Sequence, residues 1–342
     1  MWSFILRRLL YSIPVYLGII LLMMAALRVN DPVQAYLGKN VTPEQIELKR
    51  AGMGMDRPFL VQYGEFLGRI ATFDFGTRER RYESWKYEGQ NVGEKLREAV
   101  GPSLALTLPA LAITTIISIG VGMLSAFYRG SLLDRALMVW VVLGMSISVL
   151  VFIVVGQYLG AYWLPRETGW APFQTGGYEP FMAWGWIDLG PVSLPYPTEI
   201  RPQVWVSYCL LPVLISVVVA MGYDTRFYRA VMVEETGRDY IVTAKAKGAT
   251  RARIMFVHML KNAMIPIITR VMITLPFLIS GSILLEMYFR IPGMGRLLLE
   301  AITNKDFPII QTFTAIFAGV FILTNILTDV LYALVDPRVR LS

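Results

Sequence analysis

Six long apolar runs separated by polar stretches dominate the chain, at 9–27, 104–127, 137–164, 205–223, 267–287 and 309–334. The hydrocarbon core of a bilayer is about 30 Å thick and takes roughly 20 helical residues to cross, so each run is long enough to span it. None alternates apolar and polar residues as a barrel strand does, which excludes a transmembrane β-barrel. The pattern predicts an all-α membrane protein, a single transmembrane domain over 1–342 with six helices. The first run has the outline of a secretory signal peptide, with Arg7 and Arg8 before it and Met24-Ala25-Ala26 near its end. It exceeds the usual apolar core of about 7–15 residues, and five more runs follow. It is therefore expected to stay as the first helix.

The segments between the runs differ in character. Segment 28–103 mixes Phe59, Leu60, Tyr63, Phe66, Leu67 and Ile70 with polar residues at helical spacing, which predicts a long folded loop. Thr42-Pro43-Glu44-Gln45 reads as a helix start, with Thr42 as N-cap and Pro43 at the first position. Residues 78–91 are dense in charge and aromatics, and 165–204 is rich in Pro, Gly and Trp with little periodicity. Segment 224–265 is the most informative. Glu234, Glu235 and Asp239 precede Lys245 and Lys247, the order a helix dipole favours, which predicts a helix over 234–247. Gly248 is placed to stop it. Thr250 is placed to cap a second helix running through Asn262 to Pro266. Such a helix–glycine–helix unit suits either a docking device or an ordinary amphipathic surface hairpin.

Composition sharpens this picture. The chain is 55% hydrophobic and 17% charged, against about 45–50% and 25% for soluble domains, and disorder is excluded. Cys209 is the only cysteine and His258 the only histidine. A disulfide scaffold is thereby excluded, and a His-based metal site or a Ser/His relay is disfavoured. The net charge of +7 does not call for nucleic acid, because basic residues gather in the cytoplasmic loops of membrane proteins. Segments 1–8, 128–136, 224–265 and 335–342 hold fourteen Lys and Arg, whereas 165–204 and 288–308 hold five over a similar length. Both termini are therefore expected in the cytoplasm, with 28–103 and 165–204 outside and 224–265 inside. Segment 28–103 is itself too long to count, since loops beyond about 60 residues escape the rule.

No phosphate loop, nucleophile elbow, H-E-x-x-H pair or C-x-x-C pair is present. Gly38-Lys39 is followed by Asn40, so the chain is expected neither to bind nor to hydrolyse ATP alone. Ionisable groups inside the runs are functional candidates by default. Arg270 lies near the inner end of the fifth run, where it can act or simply snorkel. Glu286 lies near the outer end, within reach of water. Asp329 follows Asn325 by one turn, and the pair is expected to form a polar tie against the fifth span or a partner subunit. Cys209 is read as packing.

Four segments resemble the first permease subunit of the dipeptide/oligopeptide/nickel family of ATP-binding-cassette importers. Phe4-Ile5-Leu6-Arg7-Arg8-Leu9-Leu10 with Ile13-Pro14 resembles the family's opening, and Asp74-Phe75-Gly76 its first outer loop. Thr243-Ala244-Lys245-Ala246-Lys247-Gly248-Ala249 resembles the ATPase-coupling motif, followed by His258, Asn262, Ala263 and Pro266. Ile291-Pro292-Gly293-Met294-Gly295 and then Asn325, Asp329, Tyr332 and Asp336-Pro337-Arg338 resemble the family's end. Two departures stand out. The general coupling motif opens Glu-Ala-Ala where this chain has Val242, Thr243 and Ala244, and the outer loops are longer around 78–91 and 165–204.

The resemblance implies a permease in the cytoplasmic (inner) membrane of a bacterium or archaeon. It implies three kinds of partner: a second homologous permease, two ATPases, and an extracytoplasmic substrate-binding protein. ATP and Mg²⁺ would be used by the ATPases, with no cofactor bound by this chain. ATP-driven closure of the ATPases would rock the membrane helices between two states. The small residues Ala244, Ala246 and Gly248 would let the coupling segment dock closely, and Lys245 and Lys247 would pair with acidic groups. Ile291, Pro292, Gly293 and Gly295 would form an outer gate segment facing the binding protein. The implied cargo is peptide, with nickel complexes or oligosaccharides as alternatives. From another class, an ion-coupled secondary transporter or a membrane scaffold remains open.

Overall fold

The computed structural model describes residues 2–29, 33, 37, 42–52, 55–75, 84, 86, 90–188 and 193–335. Among these, six helices are long and apolar enough to cross a membrane: Leu6–Ala26, Val92–Phe127, Val149–Thr168, Pro202–Thr236, Met264–Tyr288 and Phe307–Val335.

Helix α1 (Trp2–Ala26) packs along the last helix, and the Tyr16 hydroxyl donates to the Ala315 carbonyl at 3.1 Å. Helix α2 (Pro43–Gly52) starts as the sequence implies. Thr42 Oγ1 accepts from the Gln45 amide at 3.4 Å while Gln45 Oε1 accepts from the Thr42 amide at 3.2 Å, a reciprocal capping box. Helix α3 (Phe59–Ala71) is amphipathic. Its Phe59, Tyr63, Phe66, Leu67 and Ile70 pack onto Ile20 and Met24 of α1. Segment 28–103 is thus folded against the first span where it is described. Gly38-Lys39, Gly76, most of 78–89 and Asp336-Pro337-Arg338 lie outside the described residues.

Helix α4 (Val92–Phe127) and helix α7 (Pro202–Thr236) form the central pair. They approach closely at Gly122, where a β-carbon would sit 2.9 Å from the Arg229 amide. Between them the chain runs through α5 (Leu132–Ser146) and α6 (Val149–Thr168). The expected third span over 137–164 is broken at Ile147 into two helices: Val149–Thr168 is long and apolar enough to cross, and α5 packs beside the fourth span, where a β-carbon on Gly222 would meet Met145 and the Val141 carbonyl. The cause is a serine cap, Ser148 Oγ accepting from the Leu150 amide at 3.3 Å, which an apolar run conceals. Segment 165–204 also departs from the irregular loop expected. It contains an antiparallel hairpin, β1 (Met182–Asp188) on β2 (Ser193–Ile200), with a bulge at Ala183/Trp184.

Helix α7 runs on to Thr236, well past the span expected over 205–223. After it come α8 (Asp239–Ala246), α9 (251–262, with a π-type middle), α10 (Met264–Ser280) and α11 (Ile283–Tyr288). Helix α12 (Met294–Asn304) crosses the top of α4, and α13 (Phe307–Val335) returns through the membrane.

Candidate functional site

The segment that the sequence marks most strongly is built as a lever. The predicted helix over 234–247 is in fact two. Helix α7 ends at Thr236, a turn follows at Gly237-Arg238, and α8 covers Asp239–Ala246. The bend is pinned by Arg238 Nη2 on Glu234 at 2.6 Å and by the Tyr240 hydroxyl on Glu235. Burial, then the Glu235 carboxylate, pushes the Tyr240 phenol above its usual range.

Helix α8 ends in a Schellman motif. The Gly248 amide donates to the Lys245 carbonyl at 2.9 Å and the Ala249 amide to the Ala244 carbonyl at 3.0 Å. Gly248 has φ +76°, and no atom lies within 4 Å of where its β-carbon would be. Glycine is required here by backbone conformation, not by crowding. Thr250 Oγ1 then caps α9 through the Arg253 amide at 3.4 Å.

One face of α8 is turned into the protein. Ile241 and Ala244 join a buried cluster with Met123 and Ala126 of α4, Tyr228 and Met232 of α7, and Met255, Met259 and Ile267 beyond. Ala244 is thus not available for close docking, a correction to its expected role, whereas Thr243, Lys245, Ala246, Lys247 and Gly248 are exposed. Among the described residues the Lys245 and Lys247 ammonium groups have no ion-pair partner. The lever therefore joins the ends of the second, fourth and fifth spans to an exposed basic edge.

Two charged pairs stiffen the same end. Arg229 on α7 holds Asp134 of α5 through Nη2 at 2.9 Å and Nε at 3.0 Å, with Ser125 of α4 donating to the same carboxylate. The Arg229 guanidinium holds the Asp134 carboxyl well below the usual carboxylate range. Arg270, expected to act or snorkel, instead meets Asp224 of α7 at 2.8 Å and lies over the Phe227 ring at 5.8 Å. Asp134 and Asp224 were not singled out by sequence, because a carboxylate near a span end gives no sign of which arginine it will meet.

The other candidates also find definite places. Asp329 pairs with Arg8 of the first span at 2.7 Å, not with the fifth span, and Asn325 on the same helix is exposed. Arg8 carries no signal beyond its place in an N-terminal basic pair, so its partner was illegible. Cys209 is buried in the fourth span. Glu286 does not reach water; it is wholly buried. Its Oε1 accepts from Ser103 Oγ at 2.7 Å and its Oε2 from the Arg296 amide at 2.9 Å. Ser103 Oγ in turn accepts from the Met294 amide at 2.7 Å. Helix α12 begins after Gly293, which has no side chain to cap it. Glu286 and Ser103 supply the acceptors that its first-turn amides need, with the carboxylate at the positive end of the dipole. A β-carbon on Gly293 would lie 2.3 Å from the Glu286 carboxyl carbon. Of Ile291, Pro292, Gly293 and Gly295, only Pro292 is exposed. The segment expected to form an outer gate is therefore built as a clamped joint, with Pro292 at its surface. Ser84 is likewise buried, donating to Asp306.

Comparison with known proteins converges on one family. The description "binding-protein-dependent transport system inner membrane component" matches residues 118–341, and its N-terminal counterpart matches residues 1–80. A probable peptide ABC transporter permease protein of Sinorhizobium fredii is 30% identical over 99% of this chain and 100% of its own length. A putative peptide transport system permease protein of Brucella abortus is 32% identical over 99% of both. A dipeptide transport system permease protein of Alkalihalophilus pseudofirmus is 29% identical over 99% of this chain and 100% of its own. The fold is similar to that of the inward-facing MetNI methionine ABC transporter, with TM-score 0.51 and 18% identity over 71% of this chain and 97% of the other. Six apolar helices, a helix–glycine turn–helix unit between the fourth and fifth, and matches over nearly the full length agree: the chain belongs to the family of binding-protein-dependent transport system inner membrane components, multi-pass permeases of ATP-binding-cassette importers.

Proposed function

We propose that this chain forms half of the translocation pathway of a peptide importer. It pairs with a second homologous permease, receives di- or oligopeptides from an extracytoplasmic binding protein, and is driven by two ATPases on the side of the Gly248 turn. Both termini lie on that same, cytoplasmic side. The chain binds no cofactor; ATP and Mg²⁺ belong to the ATPases. The names of the three relatives support the cargo class. The observation that carries the mechanism is the anchoring of α8. Its inner face is locked into a cluster shared by three spans while its basic edge is exposed. Movement of a docked ATPase at that edge is passed to the span ends without slip, because packed cores deform little.

The test is uptake in a strain whose own copy is deleted. Lys245→Glu/Lys247→Glu should lower uptake of labelled di- to pentapeptides at least tenfold and weaken co-purification of the ATPases, with membrane insertion unchanged. Normal coupling in that variant removes the docking assignment. Uptake of nickel or an oligosaccharide in place of peptides removes the cargo assignment and leaves the coupling intact.

A further inference from the structure

On the side of the membrane opposite the Gly248 turn, a cleft of about 420 Å³ opens between the side of α6 at 157–162, residues 175–176 and the end of α11. Gln157, Tyr158, Tyr162, Thr175, Tyr288 and Arg290 line it. Neither the lever nor the clamped joint uses this cleft.

Its floor is rigid. Gln157 Nε2 donates to the Thr175 carbonyl at 2.9 Å and the Tyr288 carbonyl at 3.2 Å, and the Gly177 amide donates to the Phe289 carbonyl at 2.7 Å. Arg290 is unusual within it. It takes φ +56° at the turn that ends α11, with the Ile291 amide on the Glu286 carbonyl at 2.8 Å and the Arg290 amide on the Met287 carbonyl at 3.2 Å. This is the position of a Schellman turn where glycine is the ordinary residue, since a side chain is strained there. Arginine therefore needs a reason other than the turn. Its side chain is exposed, and among the described residues its guanidinium has no acceptor. Among the same residues the hydroxyls of Tyr158 and Tyr288 are also without partners.

The cleft holds one cation and no carboxylate, so it suits an anion and gives a cationic headgroup amine no charged partner. A guanidinium presents paired donors that match a phosphate, and tyrosine hydroxyls add to them. Its level matters too. The cleft sits where the fifth span ends against the side of α6, and before it along the two helices Val151, Val154 and Val155 of α6 and Ile283, Leu284 and Met287 of the fifth span are exposed. Tyrosines at such a level belong to the interface between hydrocarbon and headgroups. We infer that this cleft binds the phosphate of an anionic phospholipid, its acyl chains lying along the exposed apolar faces of α6 and α11.

The experiment uses the full chain purified from membranes in mild detergent together with its accompanying subunits. Melting temperature is followed during titration with short-chain phosphatidylglycerol, short-chain phosphatidylcholine and inorganic phosphate. Phosphatidylglycerol should raise it by several degrees, with at most a small effect of the other two. Arg290→Gly suits the turn, so without lipid it should melt no lower than the parent, and its response to phosphatidylglycerol should be lost. Native mass spectrometry should show the retained phosphatidylglycerol depleted in the same variant. Equal responses to the two lipids, or a full response in Arg290→Gly, would overturn the site. A response to inorganic phosphate as large as that to phosphatidylglycerol would overturn the lipid assignment.

Discussion

The joint between the fifth span and α12 can be broken by a single methyl group. Gly293 has φ −96° and ψ 178°, which any residue adopts, so Gly293→Ala introduces no backbone strain. The new β-carbon would lie 2.3 Å from the Glu286 carboxyl carbon and 2.5 Å from each oxygen, where about 3.5 Å is the normal separation. The carboxylate must retreat by roughly 1 Å, and at that displacement the bonds to the Arg296 amide and Ser103 are lost. Each hydrogen bond to a charged group contributes about 1.5–3 kcal/mol, so losing two should destabilise by about 3–6 kcal/mol. Removing the carboxylate removes the clash. Glu286→Ala alone should also destabilise, because the α12 amides lose their acceptor, but adding Gly293→Ala to it should cost little more. Melting of the purified assembly for the parent, both single variants and the double variant gives the coupling energy. Additive effects of the two substitutions, or a Gly293→Ala protein as stable as the parent, would refute the clamp.

At Gly248, alanine should cost about 1 kcal/mol through its strained φ. Asparagine tolerates that conformation, so Gly248→Asn should keep fold and uptake, and Gly248→Trp should insert normally yet lose uptake; thermal melting and peptide uptake check this. Asp134→Asn should destabilise by about 2–3 kcal/mol, Arg229 being only partly buried. Because the Asp134 pKa is depressed in the folded protein, its contribution is complete above the usual carboxylate pKa of about 4 and is lost as pH falls below that. Melting curves of parent and variant should therefore differ by a constant amount between pH 5 and 8 and converge only in acid. Asn304 is exposed at the end of α12, so Asn304→Cys should react with an impermeant maleimide from outside, and Lys247→Cys only after lysis; the reverse pattern inverts the topology. Ser84 is unsuitable for such labelling because it is buried.

Much was legible along the chain because it depends on local pattern. Apolar runs of bilayer length mark spans wherever they fold, since unsatisfied backbone in hydrocarbon leaves few alternatives to a helix. The turn at Gly248 and the caps at Thr42 and Thr250 were legible for a similar reason: each satisfies backbone groups within a few residues of itself. The break at Ile147 was not, because one serine oxygen ended a helix inside an unbroken apolar run. Nor was the 182–200 hairpin, whose Pro- and Gly-rich strands lack the alternation that marks a half-buried strand.

The amino-acid sequence by itself thus determined the six crossings, the place of the lever and the family, all of which follow from local pattern or motif. Only the tertiary structure decided which charges meet. Arg8 reaches Asp329, Asp224 meets Arg270, and Glu286 caps a helix together with Ser103, which lies 183 residues away. A charge in a span must find a partner or water, and that demand is visible in sequence. Which partner answers it depends on how the helices pack, because burial and distance, not order along the chain, set the energy of the pair.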